Sequence, residues 1–308
     1  MVNYYSSKFH FGKLSLIAMG NYKFSGHETF QCRHFWLKKG YDFISCNKDF
    51  KSNDALVELG VGKNMVSSMS YWLKAFQIAN AQNEPTELGQ KLFDAVGFDP
   101  YLEDTGTQFI LHYKIQENAS FASIYRLTFE NFRKTRIANE FTETQLQDFV
   151  VKLLAKSGES ISPKSISNDI KVLLRLYLNN AKRGSKSIED DYASLLIGLD
   201  LIQSVDGVFV DGEVLYKLNY CEQRQLDKLV FLFLILDKFE GQSSISIETI
   251  QSEISDLVLC NREGTELKIE ELAALGLLVY KNDAGRREIQ LKESLNKWNV
   301  LGRYYGRI

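Results

Sequence analysis

The 308-residue chain is 44% hydrophobic and 25% charged, with a formal net charge of −2. That is the composition of a globular protein, and it excludes a polycation that coats nucleic acid indiscriminately; any DNA contact must come from local basic patches. The longest apolar run, Leu229–Leu236, is far too short for a membrane span, and Cys32, Cys46, Cys221 and Cys260 form no paired C-x-x-C spacing. Met1–Lys13 shows no signal-peptide pattern. We therefore expect a cytoplasmic protein with free thiols and no membrane partner.

Only Pro85, Pro100 and Pro163 interrupt the chain, and long stretches carry helical periodicity. The expected fold class is mainly α with small β-hairpins, built as tandem winged helix-turn-helix-like domains. In the first part, residues 1–125, a short helix at Asp54–Leu59 and the turn Gly60-Val61-Gly62 precede a helix over Lys63–Phe76. Met65, Val66, Met69, Trp72, Leu73 and Phe76 recur at helical spacing and predict its buried face. Lys63, Asn64, Ser67, Ser68, Ser70, Tyr71 and Lys74 are left for the outer face. Gln77-Ile78-Ala79 and the turn at Gln82–Glu84 predict a small wing, and Thr86 is placed to cap the next helix.

The middle part, residues 126–220, has a capping-box spacing, Thr142 to Gln145, opening a helix through Leu154. Ser162-Pro163 opens another, with Ile166, Ile170, Leu173, Leu174 and Tyr177 on one face. Ala181–Ser187 is the best linker. A second helix–wing unit is expected from Tyr192–Leu199 into Leu201–Ser204, a turn at Asp206-Gly207 and Val208–Val210. The last part, residues 221–308, holds a buried helix Gln225–Phe239, a helix Ile247–Ser255, and a third unit. In that unit Thr265–Leu275 leads into Leu277–Tyr280, the turn Asn282–Gly285 and Glu288–Leu291.

A helix delivered onto a two-stranded wing suits major-groove entry, with basic wing residues at phosphates. In the first unit Lys63 and Lys74 would meet phosphates, Asn64 could pair with adenine, and Ser67, Ser68 and Tyr71 would lie over bases or sugars. In the third, Arg262, Lys268, Lys281, Arg286 and Arg287 form the candidate basic patch. Glu266, Glu270 and Glu271 on the same helix weaken that case, because carboxylates repel phosphates. The alternative is a protein–protein scaffold made from the same modules.

Three further segments carry unusual chemistry. His27 and Glu28, with Arg33 nearby, form a candidate anion or partner site; the structural alternative has Glu28 and Thr29 capping a helix through Lys39. His27, Cys32, His34 and Cys46 invite a zinc reading, but lack the tight paired spacings of closed sites. Asp99, Glu103 and Asp104 with His112 could hold a divalent cation in a metal-dependent nuclease, although His112 sits in an apolar run that favours the core. The phosphate-loop, dinucleotide-fold and nucleophile-elbow motifs do not occur. We therefore expect no catalytic residue, no metal and no cofactor.

The string Phe24-Ser25-Gly26-His27-Glu28-Thr29-Phe30, with Arg33 and Phe35–Tyr41, resembles the DUF4007 family of prokaryotic proteins. So do Leu59–Val66 with Tyr71-Trp72-Leu73, and Gly97–Asp104 with Leu111-His112-Tyr113. The resemblance supplies no catalytic residues. It implies an association with phosphorothioate-type DNA modification and phage defence. The expected function is thus a DNA-binding, non-catalytic adaptor or regulator of such a system or of transcription. Its expected partners are double-stranded DNA and protein components of the complex.

Overall fold

The computed structural model describes residues 22–178, 194–283 and 285–307, without the side chains of Asp283 and Arg286. Roughly half of these residues are helical, and two small three-stranded antiparallel sheets complete a mixed α/β structure. None of the described helices is long and apolar enough to cross a membrane. The proposed linker 181–187 and the start of the helix expected at Tyr192 lie outside the described residues.

The first segment runs through α1 (Trp36–Ser45), α2 (Ala55–Leu59), α3 (Lys63–Ala75) and α4 (Glu87–Phe93). Gly60, at φ +57°, ends α2 in the left-handed conformation that glycine tolerates best. Thr86 caps α4 as expected, its hydroxyl accepting from the Gly89 N–H at 3.1 Å. The expected wing is reduced to a single bridge, Ala79 to Pro85, because Pro85 has no N–H to extend a ladder. The helix expected to start at Thr29 instead begins at Trp36, because Ser25, Gly26, Glu28 and Thr29 all take positive φ.

Next comes α5 (Thr105–Glu117), and then one connectivity appears twice. In the middle of the chain, α6 (Ser123–Arg126) runs on through the π-helical stretch Leu127–Phe132. It is followed by β1 (Glu140–Phe141), α7 (Glu143–Lys156), α8 (Pro163–Tyr177) and the hairpin β2 (Ile202–Val210) and β3 (Glu213–Leu218), in sheet order β1-β3-β2. The C-terminal part repeats it: α9 (Lys228–Lys238), β4 (Ser244–Ser246), then α10 (Ile247–Ile250), continued by a π-helical stretch, Gln251–Ser255. The helix α11 (Arg262–Ala274) and the hairpin β5 (Leu278–Asp283) and β6 (Arg286–Leu291) follow, in sheet order β4-β6-β5. The last helix is α12 (Lys297–Tyr304).

Both chain-order patterns are helix, strand, helix, helix, hairpin, with the last strand central. The third helix of the middle unit is therefore α8, not the segment before Leu199, where only a short 3-10 turn, Ile197–Leu199, forms. Its hairpin turns at Asp211-Gly212 rather than Asp206-Gly207. Gly207, at φ +74°, lies instead where the pairing register shifts between Ser204 and Phe209. The capping box of Thr142 and Gln145 forms as the spacing requires.

One buried hydrophobic cluster runs from Cys32 to Leu301. Across it, ion pairs link the segments end to end. Asp256 meets Arg133 (3.0 Å), Glu130 meets Lys134 and Arg126, and Glu253 meets Lys238 (3.7 Å). Lys238 then reaches Glu117 (3.5 Å), which pairs with Lys114, and Lys114 and Lys297 share Asp237. Such partly buried pairs are screened less by salt than surface pairs are.

Candidate nucleic-acid interface

The outward stripe of α3 contains Lys63 and Ser67, both exposed, with Asn64 exposed beside them, and the half-buried Ser70 and Lys74 one and two turns on. These positions match the expected outer face. Ser68 and Tyr71 do not: both are buried, so neither reads a base. Tyr71 packs flat on Phe121 and edge-on against Trp72, with its ring directly under Gly26. Sequence periodicity assigned them outward because α3 is covered on two sides rather than one. The Lys74 ammonium is held below its ordinary pKa, first by burial and then by the nearby charges of Lys23 and Lys51. Three lysines from separate segments therefore share one field at this end of α3.

Between α3 and α8 lies the loop 24–30. Its backbone is held by a buried carboxylate, Asp169 of α8, which accepts from the Ser25 N–H at 2.9 and 3.2 Å. The same carboxylate accepts from His27 Nε2–H at 3.0 Å. The His27 Nδ1 accepts from the Thr29 N–H at 3.1 Å, which places the ring proton on Nε2. The φ values of Ser25 (+67°), Gly26 (+101°), Glu28 (+48°) and Thr29 (+65°) are sustained by these bonds and by two more. Arg175 of α8 donates to the Thr29 carbonyl at 2.7 Å, and Trp72 of α3 donates to the Phe30 carbonyl at 3.1 Å.

Both ring nitrogens of buried His27 are thus engaged and its neighbour is an anion, so it does not serve the anion site expected with Glu28 and Arg33. Glu28 is exposed, and the Arg33 guanidinium lies 5.6 Å from the Trp36 ring centroid. The zinc alternative also fails on geometry, since Cys32 is buried with its Sγ turned to the Arg33 carbonyl while Cys46 is exposed. The loop is a clasp that sets α8 against α3.

What the clasp positions is a stripe on α8: Lys164 and Lys171 exposed, Asn168 and Arg175 half-buried. They stand at i, i+4, i+7 and i+11, one line down the helix, spanning about 16 Å. The only carboxylate of α8 is Asp169, and it is buried on the opposite side. This stripe was not among the residues expected from the sequence. It is the complement of the apolar set Ile166, Ile170, Leu173 and Tyr177, and the same periodicity would have revealed it had α8, not Tyr192–Leu199, been taken as the unit's third helix.

The C-terminal patch expected on α11 is mostly consumed internally. Lys268 is buried and donates to the Glu222 and Gln223 carbonyls at 2.9 and 3.0 Å, so it meets no phosphate. Arg262 pairs with Glu266 (3.0 Å) and Glu248 (3.5 Å), and Arg287 with the same two carboxylates at 2.5 and 3.9 Å. Lys281 is exposed, and the Arg286 side chain lies outside the described residues.

A family model for proteins of unknown function, DUF4007, matches residues 24–305. The chain belongs to the DUF4007 family. No curated protein matches it. Among solved structures, this DUF4007 chain is similar to SspB and to magnesium ion-bound SspB. Each has a TM-score of 0.78 at 25% identity, covering 92% of this chain and 88% of theirs.

The remaining DUF4007 segment, Gly97–Asp104 with His112, is structural here. Asp99 accepts from the Glu103 and Asp104 N–H groups (3.2 and 3.1 Å) and from the Thr107 hydroxyl. Asp104 caps α5 and accepts from the Tyr304 hydroxyl at 2.8 Å. His112 lies in the core with Nδ1 at 2.7 Å from the Tyr177 hydroxyl and Nε2 at 2.9 Å from the Leu257 carbonyl. Burial pushes its pKa down to about 3. The Asp99 and Asp104 carboxylates bind backbone at one end of α5, Glu103 is exposed, and the imidazole is occupied inside the core, so the four do not assemble a metal site. Among the described residues no group of three His, Cys, Asp or Glu could hold one.

Proposed function

We propose that this protein binds DNA through the outward stripes of α3 and α8, each acting as the third helix of a winged helix-turn-helix unit. The observation that carries the reading is the Lys164, Asn168, Lys171, Arg175 line, which is basic and polar throughout and free of carboxylates. Lys164 and Lys171 suit phosphates flanking a groove, and Asn168 between them suits a base edge. The repeated helix-strand-helix-helix-hairpin order supports the winged-helix assignment for the unit of α8; around α3 only the Ala79–Pro85 bridge stands in for a wing. The hairpin of the middle unit carries Asp206 and Asp211 with exposed Val208 and Phe209, so helix contacts rather than wing charges supply the affinity.

The association implied by the DUF4007 resemblance fits a place in a DNA-modification or phage-defence system, with this chain positioning DNA for partner proteins. Magnesium is a ligand of SspB; the Asp99 cluster of this chain is committed to capping, so we place no metal there.

The test is fluorescence anisotropy with double-stranded, single-stranded and phosphorothioate-containing DNA across a salt series. Lys164→Ala with Lys171→Ala removes two phosphate contacts and lowers the salt slope by about 1.8, at about 0.9 per contact. Unchanged slope and affinity would overturn the α8 assignment. Supercoiled plasmid incubated with the protein and Mg²⁺ stays supercoiled under this reading; conversion to open circles would replace the non-catalytic role with a nuclease.

A further inference from the structure

Two of the four cysteines meet where the middle unit ends and the C-terminal unit begins. Cys221 follows β3 by three residues, and Cys260 precedes α11 by two. An isolated parallel bridge pairs them: the Cys221 N–H donates to the Leu259 carbonyl at 3.1 Å, and the Asn261 N–H donates to the Cys221 carbonyl at 2.7 Å. These two bonds straddle Cys260 and set it directly opposite Cys221. Neighbouring strands lie about 4.8 Å apart, inside the Cα separation of roughly 4.4–6.8 Å that a disulfide spans. Side chains opposite each other in a ladder also leave it on the same face. Cys221 is half-buried, so a small oxidant reaches it, whereas Cys260 is buried. The other two thiols are kept apart, since Cys32 lies before α1 and Cys46 at its far end, about 15 Å along a ten-residue helix.

We propose that Cys221 and Cys260 are a redox-modification site, closing to an intramolecular disulfide when a peroxide-class oxidant reaches Cys221. The Cys221 thiolate attacks a peroxide oxygen, the O–O bond breaks, and Cys221 becomes a sulfenic acid. The departing hydroxide takes up the proton that Cys221 released and leaves as water. The Cys260 sulfur then attacks the Cys221 sulfur, the S–O bond breaks, and the Cys260 proton departs with that oxygen as a second water. Two electrons pass from the thiols to the peroxide. The order of attack follows from burial, which pushes the Cys260 pKa up to about 11 and keeps this thiol protonated, away from the oxidant. The surroundings tolerate the change. Cys260 Sγ donates to the Glu222 carbonyl at 3.4 Å, and when that proton is lost the same oxygen still accepts from Lys268 at 2.9 Å. The bond closes a loop of about forty residues, carrying α9, β4 and α10, and fixes the start of α11 to the end of the middle unit. The inference does not depend on the DNA-binding reading, since no residue of the α3 or α8 stripes takes part.

The test uses the full-length protein, treated with hydrogen peroxide, alkylated under denaturing conditions and digested. Free thiols are expected to fall from four to two. One peptide pair joined through Cys221 and Cys260 should appear, lighter by two hydrogens and separated again by dithiothreitol. The oxidised protein melts about 5 °C above the reduced one, because the cross-link constrains the unfolded chain. Cys221→Ser abolishes both the joined peptides and the rise in melting temperature, while its reduced form melts with reduced wild type, showing that the fold persists. Its DNA binding across the salt series matches wild type, so this assignment and the DNA reading fail separately. Cys46→Ser, which removes the exposed thiol available for joining two copies, leaves the joined peptides and the melting shift in place. Four free thiols after peroxide, a sulfinic acid at Cys221 without a joined peptide, or a joined peptide that contains Cys46 would each overturn the proposal.

Discussion

Replacing Asp169 with alanine tests whether the loop at 24–30 is the support for α8. The carboxylate is 1% exposed and has two donors, the Ser25 N–H and the His27 Nε2–H. Both are left buried or half-buried without an acceptor, and hydrogen bonds to a charged group contribute about 1.5–3 kcal/mol each. The expected loss is about 3–5 kcal/mol, which for a chain this long lowers Tm by about 5–8 °C. Asp169→Asn keeps one acceptor oxygen and falls between wild type and alanine. A global melt alone would not locate the damage, so the second readout is amide hydrogen exchange. Protection should fall first across residues 24–30 and along α8, since the positive-φ loop depends on these bonds to stay in place. DNA affinity should fall while the salt slope holds, because no phosphate contact is removed. A melting temperature within about one degree of wild type, or faster exchange elsewhere but not in the loop, would refute the clasp.

Two further substitutions separate core from surface. His112 is depressed from 6.5 to about 3 by burial, so between those values the unfolded chain binds more protons than the folded one. Its contribution to stability is present above about pH 6.5 and is lost as pH falls toward 3, by about 2 kcal/mol between pH 6.5 and 5. Urea unfolding of His112→Gln at both pH values should show a correspondingly flatter dependence; parallel curves would show that the imidazole titrates normally. Lys268→Met removes the ammonium that bridges the Glu222 and Gln223 carbonyls, leaving them only the Cys260 thiol and the Leu226 N–H, and should destabilise by about 1.5–3 kcal/mol without changing DNA affinity. A fall of about one unit in salt slope for this variant would instead return Lys268 to a phosphate contact.

What the sequence disclosed and what it hid divide by the distance between interacting groups. The apolar positions of α3, the caps at Thr86 and Thr142, the proline-initiated α8 and the third unit's hairpin follow from neighbours within a turn or two. The failures are non-local. The two-residue strand Glu140–Phe141 acquires meaning only by pairing with Lys217 and Tyr216. The His27–Asp169 contact joins residues 142 positions apart. Lys268 reads as a surface cation until the carbonyls of Glu222 and Gln223 are brought beneath it. Arg262 and Arg287 read as a DNA patch until Glu248, from another helix, closes the pair. Near α8 the obstacle was different. The stripe was written in the local pattern, but the unit's third helix was sought next to its hairpin, whereas residues 178–201 separate the two in sequence.

The same separation explains how a chain with a net charge of −2 could carry the DNA-binding surface proposed above. Cations and anions are not mixed evenly over the three third helices: α3 and α8 present lysine, arginine and asparagine, while α11 presents glutamate and leucine. A fold repeated within one chain does not fix a shared ligand, because the ligand is chosen by four outward positions per helix. Between those surfaces runs the series of ion pairs from Asp256 to Lys297, built from charges that are mostly buried or half-buried. Salt screens exposed phosphate contacts more strongly than these internal pairs. Raising ionic strength should therefore strip ligand from the outer stripes while the arrangement of α5, α6 and α9 persists. The segregation of charge, outward-facing on the stripes but inward-facing and paired at the junctions, would let one acidic chain hold its shape and bind a polyanion, as proposed, at the same time.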